Sequence, residues 1–197
     1  MKDFLRSEYE QCMSLVKYYD ERQFSLFKYS ATIASAVPNL LVAIFKLGEG
    51  AKEYFWRLAL LSSLASAIAI SSIFLGLVQT RLYFVYPVRQ VNAIRAYFLK
   101  SIPSDEFENQ MYLSTTLKAF KWLSSQTLMM AIVALEVALF FSCAVYSSLQ
   151  LVPGQTCGVV ASIIVGVLIA SGMLALSGYY LHTQSVKAAD KSVHRES

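Results

Sequence analysis

The chain has 197 residues, 56% of them hydrophobic and only 15% charged, with a mean hydropathy of +0.48. A soluble domain of this length usually carries about 25% charged residues, so the composition is that of a membrane protein, and the length suits one domain. The net charge of +4 is modest, and its distribution says more than its sum. Three cysteines (Cys12, Cys143, Cys157) lack C-x-x-C spacing and have only His182 and His194 for company. Neither a zinc site nor a disulfide framework is expected, and no cofactor is implied.

In chain order, residues 1–23 read as an N-terminal helix. Leu5, Tyr9, Cys12, Val16 and Tyr19 recur with 4-3-4-3 spacing, which makes a seam for packing on another helix. The first apolar run begins only at Phe24, after 23 mixed-charge residues, so no secretory signal is expected. A membrane-spanning helix needs about 20 mostly apolar residues, and four segments qualify: 24–45, 54–78, 123–149 and 159–181. Lys28 sits within snorkelling reach of the interface, and Pro38–Asn39 interrupt the middle of the first span. Short loops with Gly48, Gly50 and Pro153–Gly154 turn the chain back. The result is two hairpins, residues 24–78 and 123–182, joined by the arm 79–122.

Lys and Arg set the orientation. Fourteen lie in the N-terminal segment, the arm and the tail 183–197, against three (Lys46, Lys52, Arg57) near the short loops. Both termini and the arm are therefore expected in the cytoplasm. The arm breaks at Ser101–Ile102–Pro103. Before the break Val88, Val91, Ile94 and Phe98 share a face, and Pro87 should bend the helix. After it, Ser104 is a suitable N-cap, and Asp105, Glu106 and Glu108 suit the positive end of a helix dipole. The expected fold is thus an all-α membrane protein of four transmembrane helices in two hairpins. Spans one to three continue into a cytoplasmic helical bundle tipped by Ser101–Pro103, and the tail from Thr183 frays.

Glu136 is the sharpest polar feature, an ionisable residue near the middle of span three, where charge is costly and often functional. Asn39 and Pro38 lie at a similar depth in span one, so Glu136 and Asn39 are placed to meet within a subunit or across a subunit interface. They serve either as a polar ring in a pore or as hydrogen-bonded packing groups. Small-residue ridges run along span one (Ala31, Ser35), span two (Ser63, Ala67, Ser71) and span four (Ser162, Gly166, Ala170). These allow close helix approach, in bundle packing or in oligomerisation. A four-helix unit packed on itself leaves little room for a channel, so a conducting path is expected between subunits of a homo-oligomer.

The arm is basic. Arg81, Lys118 and Lys121 are expected at the anionic lipid surface. Arg89, Asn92 and Arg95, further out and spaced 89-92-95, are candidates for a phosphate-rich ligand. No G-x-S-x-G, P-loop, H-E-x-x-H or G-x-G-x-x-G motif occurs, and no enzyme activity is expected.

The layout of short N-terminal helix, hairpin, basic Arg81–Lys121 arm and second hairpin resembles the small four-span membrane effectors of bacterial anti-phage defence, of the CBASS and Hailong types. The resemblance implies a bacterial inner-membrane protein that permeabilises the membrane. Opening would be controlled by a nucleotide or oligonucleotide made by a partner enzyme, with Arg89 and Arg95 as first candidates for contact. The function expected is therefore an oligomeric channel or pore-forming effector gated through its cytoplasmic helices. The alternatives are a non-conducting scaffold that docks a cytoplasmic partner protein and a small transporter, the last disfavoured because no inverted repeat is visible.

Overall fold

A computed structural model describes residues 2–46, 49–100, 117–152 and 158–190. Among them all regular structure is helical: α1 (Lys2–Phe45), α2 (Glu49–Leu99), α3 (Ser125–Gln150) and α4 (Gly158–Asp190). Each is long and apolar enough to cross a membrane, so the protein is an all-helical, multi-pass membrane protein. The Ser101–Pro103 turn, the Ser104 cap and the Pro153–Gly154 turn lie outside the described residues.

The lengths of α1 and α2, 44 and 51 residues, correspond to about 66 and 77 Å at 1.5 Å per residue. A hydrocarbon core of about 30 Å accounts for less than half of either. The rest of each helix projects from the same end, because the two run antiparallel and stay paired. Tyr19 stacks on Tyr83 at 6.2 Å, and Arg95 donates to the Tyr9 hydroxyl at 3.0 Å. The 4-3-4-3 seam makes this pairing: Cys12 is buried and Leu5, Tyr9, Val16 and Tyr19 are half-buried. We call this the arm end. At the opposite, hairpin end, Phe45, Phe55, Trp56 and Tyr146 form an edge-to-face chain at 5.1–5.6 Å across α1, α2 and α3, an aromatic girdle of the kind found at membrane boundaries.

Both internal prolines lie inside unbroken helices. Pro38 does not break span one: α1 continues to Phe45, and the Asn39 side chain donates to the Ser35 carbonyl at 2.9 Å, beside the turn where the proline removes a donor. Extension beyond the membrane also differs from the sequence reading. Among the described residues it is spans one, two and four that run on as helix. Leu117–Ser124 is not helical, and α3 starts at Ser124, whose side chain accepts from the Thr127 N–H at 3.2 Å. In turn α4 runs to Asp190 through residues 183–190, where fraying was expected.

The helices form an open layer in chain order. α1 packs on α2, α2 on α3 and α3 on α4, whereas α1 and α4 do not touch among the described residues. The core lies between α2 and α3, where Ile70, Leu77, Val85, Met130, Val133 and Val137 are fully buried. The small-residue ridges of spans two and four are spent inside this layer: Ser63, Ala67, Ser162 and Ala170 are buried. Gly166 lies so close to α3 that a Cβ would run into the Ser142 hydroxyl and meet the Ala138 carbonyl at 3.4 Å. Gly166→Leu is expected to destabilise the protein by about 1–3 kcal/mol, read as a lower melting temperature in detergent. Gly172→Leu, at a glycine with nothing within 4 Å of its Cβ position, should leave the melt unchanged.

Candidate functional site

The basic arm is largely occupied in holding the fold. Arg81, three residues past span two, is only 4% exposed. Its Nε donates to the Ala119 carbonyl at 2.7 Å, Nη1 donates to the Gln126 side-chain oxygen, and the guanidinium lies over Phe84. It therefore faces the protein, not the lipid surface expected of it. Two turns further, Arg89 donates from Nε and Nη2 to the Leu117 carbonyl at 3.0 and 2.6 Å, and from Nη1 to the Ser185 carbonyl at 3.0 Å. Arg95 turns the other way, to α1, where it also lies over the Tyr9 ring at 5.7 Å. Asn92 is buried and has an interaction of its own. The 89-92-95 row thus serves two different neighbours and does not present one open cationic face.

The two arginines of α2 explain the chain between them. Leu117–Ser124 makes no helix, so its carbonyls need donors from elsewhere, and Arg81 and Arg89 supply them at Ala119 and Leu117. Phe120 lies on Gly178 of α4, 3.4 Å from where a Cβ would stand. The segment is thereby pinned between α2 and α4, and Lys118, Lys121, Trp122 and Leu123 are left exposed. Lysines, a tryptophan and a leucine at the foot of a span suit a lipid–water boundary.

Glu136 and Asn39 do not meet within the chain. Glu136 is half-buried on the side of α3 that faces α1. Its carboxyl comes up against Ser30, with Oε2 buried and without a hydrogen-bond partner. The Ser30 hydroxyl donates to its own helix, to the Phe27 carbonyl at 2.9 Å. Asn39 and Pro38 lie on the exposed face of α1, nine residues from Ser30, or about 13 Å along the helix.

That exposed face carries a feature the sequence reading passed over. Ser25, Lys28, Thr32, Ser35 and Asn39 are all exposed, and their 3-4-3-4 spacing lines them up along one side of the helix. They form a polar stripe along most of span one. Ala31 and Ser35, the ridge noted above, lie on the same exposed side. Only 6% of the most apolar stretch of α1 is buried and 11% of that of α4, the two edge helices, against 33% and 39% for α2 and α3. Ser25, Thr32, Ser35 and Asn39 each donate back to a carbonyl three or four residues earlier, so their acceptor oxygens remain available. Lys28 reaches back over Phe24, its Nζ 4.5 Å from the ring centre. The signal was present as polar residues at helical spacing within an apolar run.

At the arm end, the Cys12 thiol is pushed above its usual pKa by burial and then by the Glu8 carboxylate beside it, which suits a packing role over a reactive one. No family model, curated protein or solved structure matches this chain. A role of Arg89 in holding the fold has a direct test. Arg89→Ala breaks three charge-assisted hydrogen bonds to carbonyls and should cost about 2–4 kcal/mol, seen as a lower melting temperature and faster proteolysis at residues 117–124. A residue that serves only a ligand would leave both unchanged.

Proposed function

We propose that this protein is an oligomeric membrane channel or pore-forming effector in which the polar stripe of α1 faces a conducting path built from several copies. The observation that carries the reading is that stripe, set on a free edge of an open layer. A line of hydroxyls, an amide and an ammonium exposed along a membrane span is costly against lipid tails. It becomes stable against water in a pore or against polar groups of another copy. The exposed Ala31–Ser35 ridge lets a neighbouring helix approach closely there. The open layer supports the same reading, because one chain encloses no path of its own. Glu136 then supports the wall from behind, through α1, and does not itself line the path.

In this reading the arm end lies in the cytoplasm, as the 14-to-3 distribution of Lys and Arg suggests, and gating enters there. A nucleotide or oligonucleotide drawn to the basic arm acts at Arg89 by exchanging carbonyl oxygens for phosphate oxygens. That exchange releases the Leu117–Ala119 segment and the end of α4 together, so ligand binding and helix movement are one event. The inner membrane of a bacterium and a role in anti-phage defence follow from the resemblance in layout.

One observation favours a scaffold instead. Phe4, Leu15 and Tyr18 are exposed on the outward face of α1 at the arm end, Phe4 at 67%, an apolar patch that suits a docked cytoplasmic protein.

Purified protein in liposomes distinguishes the two. A channel gives ion flux, and Asn39→Asp should raise its preference for cations while Asn39→Lys lowers it, with the oligomer unchanged. Protein that forms oligomers but conducts no ion with its ligand present leaves the scaffold.

A further inference from the structure

A groove of about 690 Å³ runs between α2 and α4, on the side of the layer away from α1. It exists because both helices pack on α3 and only sparsely on each other. Val137 and Phe141 of α3 form its floor, and Phe74, Leu75, Met173 and Leu176 line its walls. Ser71 lies at the inner end. These residues belong to spans two, three and four, so the groove opens sideways into the hydrocarbon of the bilayer.

Its chemistry changes at the end nearest the arm. There the lining becomes Gln79, Ser177 and Tyr180, at the ends of spans two and four. Tyr86, two turns beyond Gln79 on α2, is close to Tyr180 and next to Arg89. The groove is therefore apolar at membrane depth, with an amide, a hydroxyl and a phenol at the interface. A glycerophospholipid has the same order of chemistry, from tail to ester to phosphate.

Size separates this occupant from the other one available in a membrane, a helix of a second copy. A 30 Å length of helix about 10 Å across fills roughly 2,400 Å³, more than the groove can seat, whereas a flexible hydrocarbon tail follows a narrow channel. We propose that the groove is a lipid site that holds an acyl chain of a glycerophospholipid, with the ester and phosphate oxygens hydrogen-bonded at the Gln79–Tyr180 mouth. Because the same lipid spans α2, α3 and α4, it ties the free edge helix α4 to the core. The site does not depend on whether the chain conducts.

The test is native mass spectrometry of the full-length protein after a delipidating detergent wash, with a phosphatidylglycerol and phosphatidylethanolamine mixture added back. One phospholipid should remain per chain. Met173→Trp and Leu75→Trp, which fill the groove from half-exposed and exposed positions, should lose it. Gln79→Leu should weaken retention several-fold, and Leu168→Trp, on an exposed part of α4 outside the groove, should retain it. Circular dichroism confirms that each variant is folded. Preferential retention of one headgroup places the recognition at the mouth, and equal retention places it in the tail groove; both support the site. Loss of all lipid from the wild-type protein overturns the proposal, as does undiminished retention by folded Met173→Trp. Disulfide cross-linking between copies through Met173→Cys also overturns it, because that outcome puts a second chain in the groove.

Discussion

The join of α2, α3 and α4 at the arm end depends on two guanidinium groups reaching across from α2 to a stretch of chain with no helix of its own. The stretch Leu117–Ser124 carries carbonyls that neither a helix nor, this close to the bilayer, free water can be relied upon to satisfy. Arg81 and Arg89 satisfy two of them with charge-assisted hydrogen bonds, and Arg89 takes a third carbonyl from α4. Arginine suits the task because its planar fork presents several donors at once and stays protonated even when buried. With those contacts in place, α3 can start cleanly at its Ser124 cap and α4 is held to α2 at a level where the two spans themselves barely touch.

From that anchorage the rest of the layer follows in order of burial. α2 and α3 supply the shared core, and their small residues and glycine partners are used inside the chain. α1 and α4 are attached along one side each. The division explains why the apparently similar small-residue ridges have different fates. Those of spans two and four meet another helix of the same chain, while that of span one faces outward beside the polar stripe.

Much of this architecture was readable from the sequence, because span length and helical periodicity are local properties. The four spans, the Leu5–Tyr19 seam and the extension of α1 and α2 past the membrane come from patterns within a single helix, although Pro38 reads as an interruption that α1 does not make. What escaped was set by contacts between distant segments. Arg81 looked like a lipid-facing cation, since nothing near it in sequence announces the Ala119 carbonyl or Gln126. Arg89 and Arg95 shared a spacing that suggested one surface, yet the neighbours that claim them, Leu117 and Ser185 on one side and Tyr9 on the other, come from three separate stretches of chain. Glu136 stands out in the sequence as a carboxylate in an apolar span, but its register against α1, which puts it at Ser30 and not at Asn39, depends on how two non-adjacent helices slide past each other. The polar stripe is the opposite case. Its spacing was visible all along, and only the exposure of α1 gave it significance.

The two edges of the layer differ in kind, α1 polar and α4 aliphatic, and this restricts the symmetry of any assembly. Copies in one membrane share an orientation, so an isologous contact, the α1 stripe against the same stripe, relates two chains by a twofold axis along the membrane normal and is used up by that pair. It produces a closed dimer with its stripes hidden from each other's lipid. A contact between unlike edges repeats from copy to copy, and where the rotation closes it produces a ring with every α1 in an equivalent place. Cyclic order greater than two is thus available to this fold only through heterologous packing, and the handedness of that ring is set by which edge each chain offers to the next.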